Sequence, residues 1–357
     1  MRGRTTHGYA PGAPVVEIDS GPLYELLLSL LIFSQEGYRH ILQVGPQWFT
    51  SVRVGASTAL LAALEELSPP CWVWQRLLIM ACESSNGSQA LHCEQFIERL
   101  RGIEADRLYE FILGAEGPGA MGAEIVARAR LGEEVARTRL ARTLFPDDPR
   151  QDAGLRHLLA LSPEQVKELV LRILSLWYVE LFRGQERELA VRLASEARTK
   201  RIIGSSAPTR LLRAAAPGLQ YLPRRSITRV ILIPALVSRP CVVTIRFNST
   251  RVFFYPVADE AAEEEELQAR LVKTHRALGD PVRLRILQEL IRAERTLGLV
   301  SEAVGSPRGE VAAHLVVLRD AGLVTLKMDE RREVFATRPN LPSVLFRTLQ
   351  AYLPDVR

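Results

Sequence analysis

The strongest constraint on this 357-residue chain lies in its last quarter, where helix-start and helix-stop signals alternate at short intervals. Asp280-Pro281 sets a capping carboxylate before a proline at the first helical position, where the missing N–H costs nothing. Residues 282–290 continue as a helix, and a short second helix is predicted over 299–304. Gly305-Ser306 makes a turn, and a third helix should run from Pro307 to about Ala321. Gly322 stands where a left-handed C-cap belongs. Leu323-Val324-Thr325-Leu326 and Glu333-Val334-Phe335-Ala336 then read as two short strands around a polar tip, residues 328–332.

Two helices joined by a tight turn and followed by a β-hairpin make a winged helix-turn-helix, whose second helix enters a DNA major groove. The residues go further than the pattern. Ala277-Leu278-Gly279-Asp280-Pro281-Val282-Arg283-Leu284-Arg285-Ile286-Leu287 and His314-Leu315-Val316-Val317-Leu318-Arg319-Asp320-Ala321-Gly322-Leu323-Val324 strongly resemble the ArsR/SmtB-type winged-helix transcriptional regulators. The resemblance covers about residues 263–340, and residues before it look more loosely like the helical extension of long members of that family. It implies a homodimeric regulator, a repressor, that binds double-stranded DNA at an inverted repeat and releases it when a small-molecule effector binds.

On that reading the DNA-facing residues are Arg308, Gly309, Glu310, Ala313 and His314 of the recognition helix, with Arg331 and Arg332 of the wing. Arg308 suits a guanine edge or a phosphate, and Glu310 a cytosine amino group. Ala312, Ala313 and Val316 offer only apolar contact, such as to a thymine methyl, where the family usually carries small polar and basic residues. Asp329 and Glu330 oppose the wing arginines. From Leu267 to the end the chain has 15 basic and 10 acidic residues, a net +5. His314 suits a base or phosphate contact and equally a structural bond to backbone, while Arg283 and Arg285 suit the DNA backbone or an internal bridge. The apolar reading face leaves a second function open, a protein-interaction or scaffold module whose winged helix no longer binds DNA.

Upstream, the sequence predicts a mostly helical region with a β section, an α+β chain overall. Leu23, Leu26, Leu27, Leu30 and Leu31 recur at helical spacing, and further helices are expected over 48–67, 72–82, 93–101 and 122–144. Ser162-Pro163-Glu164-Gln165 is a capping box opening an apolar stripe that runs from Val166 to Leu181. Residues 227–237, 241–247 and 251–257 are rich in β-branched and aromatic side chains, the last two joined by Asn248-Ser249-Thr250 as a hairpin. This divides the chain into a flexible leader (1–14), a regulatory or oligomerisation region (15–258) and a winged-helix domain with a terminal helix (259–357). Val344, Leu345, Leu349 and Leu353 of the terminal helix form an apolar set suited to dimerisation or docking.

Composition narrows the function classes. Forty-six basic against 41 acidic residues is too mild a balance to require nucleic acid by itself. Four cysteines are too few for a disulfide scaffold. Cys71, Cys82 and Cys93 fall eleven residues apart, too far along a helix to share one metal, and read as buried thiols. None follows Cys241, so the metal-binding cysteines of the family are absent and no metal or other cofactor is expected. The leader lacks an apolar signal core, and residues 23–33 contain Glu25 and are too short to span a bilayer, so a cytoplasmic protein without a membrane partner is expected. Gly117-Pro118-Gly119-Ala120-Met121-Gly122 formally fits a dinucleotide loop but lacks a strand before it, and His92-Cys93 cannot face each other on one helix. No catalytic residues are read, and the chain is not expected to be an enzyme. Trp48, Trp72, Trp74 and Trp177 all lie upstream, as core or as the lining of an effector pocket.

Overall fold

The structure is a computed structural model that describes residues 14–35, 42–67, 71–85, 92–114, 122–144, 151–204, 211, 215, 219–221, 226–257, 263–328, 333–338 and 341–352. Strand β1 (Val15–Ile18) leads into α1 (Pro22–Phe33), α2 (Gly45–Gly55), α3 (Thr58–Leu67), α4 (Cys71–Ser84), α5 (Cys93–Gly102) and α6 (Ala105–Ile112). Then come α7 (Gly122–Arg130), α8 (Glu134–Leu144), α9 (Gln151–Ala160), α10 (Pro163–Trp177), a π-helical turn (Tyr178–Phe182) and α11 (Glu186–Gly204). Strands β2 (Leu219–Tyr221), β3 (Arg229–Ala235), β4 (Val243–Phe247) and β5 (Thr250–Pro256) precede the carboxy-terminal elements. Those are α12 (Glu263–Leu278), α13 (Pro281–Arg292), α14 (Leu297–Val304), α15 (Arg308–Asp320), β6 (Val324–Met328), β7 (Glu333–Thr337) and α16 (Leu341–Tyr352). The α+β class is as the sequence predicts.

Helix α1 is the hub. All twelve of its residues are buried, so it is a central helix rather than one with a polar outer face. Its three buried polar side chains are satisfied internally: Tyr24 Oη donates to the Asp19 carboxylate at 2.6 Å, Ser29 Oγ accepts the Trp177 indole N–H at 2.9 Å, and the Glu25 carboxylate accepts the backbone N–H groups of Leu236 and Val237. Helix α10 begins with the expected capping box, Ser162 and Gln165 bonding each other's backbone N–H. The helix expected over 48–67 is two helices broken at Ala56-Ser57, where the Ser57 N–H donates to the Glu180 carboxylate at 2.8 Å. That expected over 122–144 is broken at Gly132, whose φ of 92° no helix accommodates.

A four-stranded sheet lies beside the helices in the order β1-β3-β5-β4, with β1, β3 and β5 parallel and β4 antiparallel to β5. The β4–β5 hairpin turns through Asn248 at φ 48°. Alternation along the strands builds two cores. Ile231, Ile233, Val252 and Phe254 join the helical core around α1, while Val230, Leu232, Phe253 and Tyr255 pack with Leu211, Leu219 and Tyr221.

The carboxy-terminal elements bury their own core of Ile286, Leu290, Val300, Val311, Leu315, Leu318 and Val324. Strand β2 pairs in parallel with β6, Leu219 opposite Leu326 and Tyr221 opposite Met328, giving a sheet of order β2-β6-β7. Leu326 and Met328 thereby enter the second core of the amino-terminal region. Strand pairing thus crosses the chain position, near 259, at which the sequence suggests a boundary. Among the described residues no helix is long and apolar enough to cross a membrane.

Candidate nucleic-acid interface and the cavity beside it

The helix-turn-helix is assembled by caps. The Asp280 carboxylate accepts the N–H groups of Val282 at 2.8 Å and Arg283 at 3.0 Å, fixing the start of α13. Burial alone would raise the Asp280 pKa, but these bonds and the nearby Arg283 and His314 charges hold it below the usual carboxylate value. Thr296 caps α14 by accepting from Leu299 N–H. Gly305 ends α14 at φ 69°, and Ser301 Oγ donates to the Ser306 carbonyl across the turn at 2.6 Å. Gly322, also at φ 69°, closes α15, and Arg295 bridges Phe335 to add a third short edge to the wing.

Arg308, Gly309 and Glu310 are exposed in the first turn of α15, the part of a recognition helix that reaches base edges. The Arg308 guanidinium lies across α14: a Cβ added to Gly298 would meet Arg308 Nη2 at 3.1 Å. His314 is half-buried, near enough to Asp280 for its charge to be felt there. Ala313 departs from expectation. It is only 5% exposed, because α15 is covered on more than its core side. Arg331 and Arg332 lie outside the described residues, as do Asp329 and Glu330. Arg283 is an internal clamp, donating from Nε to the Ala277 carbonyl at 2.6 Å and from Nη2 to the Arg276 carbonyl at 2.7 Å. Arg285 is exposed on α13.

The apolar flank of α15 is half-buried. Ala312, Val316 and Arg319, together with Met328 and Phe335, form one wall of a cavity of about 320 Å³. The opposite wall is amino-terminal: Ile32 at the end of α1, Ser238 and Cys241 after β3, and Val243 and Thr244 of β4. Arg319 is the residue that sequence reasoning passed over. Its half-buried side chain lines the cavity, and desolvation pulls its pKa down against the raising influence of Cys241, Asp320 and Glu333. Burial likewise pushes the Cys241 thiol up, to about 11. The signal available was the register: Ala312, Val316 and Arg319 share one helix flank, but the sequence does not say what faces it.

Elsewhere the candidates resolve by burial. Cys82 and Cys93 are buried free thiols, their pKa values raised mainly by desolvation. Among the described residues no three His, Cys, Asp or Glu side chains are placed to hold a metal ion. Residues 117–121 of the glycine-rich stretch lie outside the described residues. Trp72, Trp74 and Trp177 are core residues, yet Trp48 and Trp177 also line a second cavity of about 330 Å³ with Glu25, Gln185 and Arg192.

Comparison with a family model points to the same segment. A family model described as a helix-turn-helix domain matches residues 278–327. A "Probable mercury resistance operon repressor" of Streptomyces lividans is 40% identical over 57 residues, covering 16% of this chain and 46% of that protein. The chain therefore spans just under half the length of that relative. The crystal structure of NolR from Sinorhizobium fredii aligns with a TM-score of 0.21 and 21% identity, over 28% of this chain and 100% of that one. Residues 278–327 of this chain thus form a helix-turn-helix domain.

Proposed function

We propose that this protein is a DNA-binding transcription regulator of ArsR/SmtB type, a non-enzymatic cytoplasmic homodimer that represses from an inverted-repeat operator. The observation that carries this reading is the capped α13–α14–turn–α15 unit, with Arg308, Gly309 and Glu310 exposed at the start of α15 and a helix-turn-helix match over the same residues. Arg308, Glu310 and His314 read bases or phosphates in this assignment, and Arg331 and Arg332 grip the backbone beside them. Residues 259–357 supply the DNA-binding unit and residues 15–258 the regulatory one. The dimer forms through α16, where Phe346 and Leu349 are 65% and 38% exposed. The test is anisotropy binding of the full chain to genomic fragments and to scrambled duplex at two salt concentrations. Tight, selective binding should fall steeply with salt, and Arg331→Ala/Arg332→Ala should lower the log–log slope by about 0.9 per lost phosphate contact.

One observation favours the second reading, a protein-interaction module: the apolar flank of α15 faces a cavity whose other wall is the chain's own amino-terminal region. Failure to retain any genomic fragment, at low salt and across a set of small-molecule additives, would decide for it.

A further inference from the structure

The cavity beside α15 has features that a packing defect lacks. Its walls come in similar measure from the two halves of the chain, so it exists only while α15 is docked on the amino-terminal sheet. Its lining is apolar apart from a few groups, chiefly Ser238, Thr244, Gln35, Glu333 and Arg319. The Arg319 guanidinium forms no hydrogen bond or ion pair among the described residues, while neighbouring Asp320 is held by Lys273 at 2.9 Å. Glu333, exposed, lines the same cavity, and its charge acts on Arg319. The guanidinium is half-buried and feels the charges of Asp320 and Glu333, and a planar guanidinium is the side chain best shaped to take a carboxylate through two parallel bonds. A single fork in an apolar chamber of fragment size selects one carboxylate on an apolar body, rather than a phosphate dianion or a sugar.

We propose that this cavity is the binding site for a small apolar carboxylate, which pairs with Arg319 and holds α15 against the amino-terminal sheet. The site stands on its own geometry; its effect on DNA rests on the regulator reading above. A helix with its side chains is about 10–12 Å across and the major groove about 12 Å wide, so a helix with a sheet along one flank does not fit in the groove. An occupant touching both walls gains those contacts only in the docked arrangement, and therefore favours it over the DNA-bound one. Linkage makes the effect reciprocal: the ligand weakens DNA binding by the factor by which DNA weakens the ligand.

The test uses the full chain and four probes: octanoate, phenylacetate, 1-octanol and octylamine. Calorimetry should show one carboxylate bound per chain, with octanoate preferred over 1-octanol by about tenfold or more, the worth of a charge-assisted hydrogen bond. Arg319→Met should abolish that preference while leaving 1-octanol affinity unchanged, which general destabilisation would not do. Thr244→Trp, which fills the cavity from the sheet side, should abolish binding of both; circular-dichroism melts check that each variant is folded. Absence of binding by either carboxylate, equal affinity for acid and alcohol, or an Arg319→Met variant that keeps the preference would overturn the site. In the second arm, saturating octanoate should weaken binding to a genomic fragment. A fragment bound equally well with and without octanoate overturns the locking step alone. A chain that binds no DNA under any condition overturns the regulator reading and leaves the calorimetric result to judge the site.

Discussion

Asp280 shows how much one side chain decides. Its carboxylate closes two otherwise unpaired N–H groups at the start of α13, so Asp280→Ala should cost about 1 kcal/mol, read as a lower denaturation midpoint. Because its folded pKa is depressed, this contribution is present at neutral pH and lost as pH falls through the acidic range. Glu25 has the opposite sign. Burial, only partly offset by the N–H groups of Leu236 and Val237 and the Arg192 charge, raises it to about 7. The folded state then holds a proton that the unfolded chain releases, so stability contributed at low pH is lost as pH rises through about 7. Glu25→Gln should flatten this dependence between roughly pH 4.5 and 7, by at most about 1.4 kcal/mol per pH unit. Equal slopes for the two proteins in pH-resolved denaturant melts would contradict the assignment. The polarity of Asp280 was legible because caps are local. The burial of Glu25 was not, since its partners stand 211 and 212 residues away.

At the scale of elements, local chemistry was the reliable guide. The Ser162 box, the Asp280-Pro281 start, the Gly305 and Gly322 stops and the Asn248 hairpin turn all appear in the structure where residue type demanded them. Gly305 is the sharpest case. Nothing lies within 4 Å of an added Cβ, so Gly305→Ala should cost only the backbone strain of a left-handed alanine, about 1–2 kcal/mol, measurable as reduced stability with unchanged secondary structure. Breaks produced by distant partners were illegible: α2 and α3 part at Ser57 because Glu180 takes its N–H from 123 residues away. The helix over residues 23–33 shows the same limit. Its leucines announced a helix, but a stripe at helical spacing does not reveal that the remaining face is covered too.

For the molecule as a whole, the consequential arrangement is the merging of the two halves. The sheet pairs β1 with β3, Val15 opposite Arg229, and the wing accepts β2 from before the central strands. The wing and α15 therefore meet the amino-terminal region through the β2–β6 pairing and the shared cavity. The carboxy-terminal unit presents Val272 of α12 and Phe346, Leu349 and Tyr352 of α16 to solvent, the kind of apolar surface a second copy would cover. Phe346→Asp should convert a dimer to a monomer in light scattering while changing monomer stability by no more than about 0.5 kcal/mol. An unchanged mass would move the dimer interface elsewhere.

What the amino-acid sequence determined by itself was everything set within a few residues: caps, turns, the helix-turn-helix with its trailing hairpin, and the exposed Arg308–Glu310 turn. These depend on backbone conformations and short-range hydrogen bonds that residue types impose directly. Only the tertiary structure decided which way α15 faces. The flank of Ala312, Val316 and Arg319 has the same spacing whether it meets a DNA groove or a sheet, and it is the pairing of β2 with β6 and the placing of β4 across the cavity that half-bury it. Residue pattern encodes that a face is apolar; the partner that covers it is chosen by the burial of the whole chain.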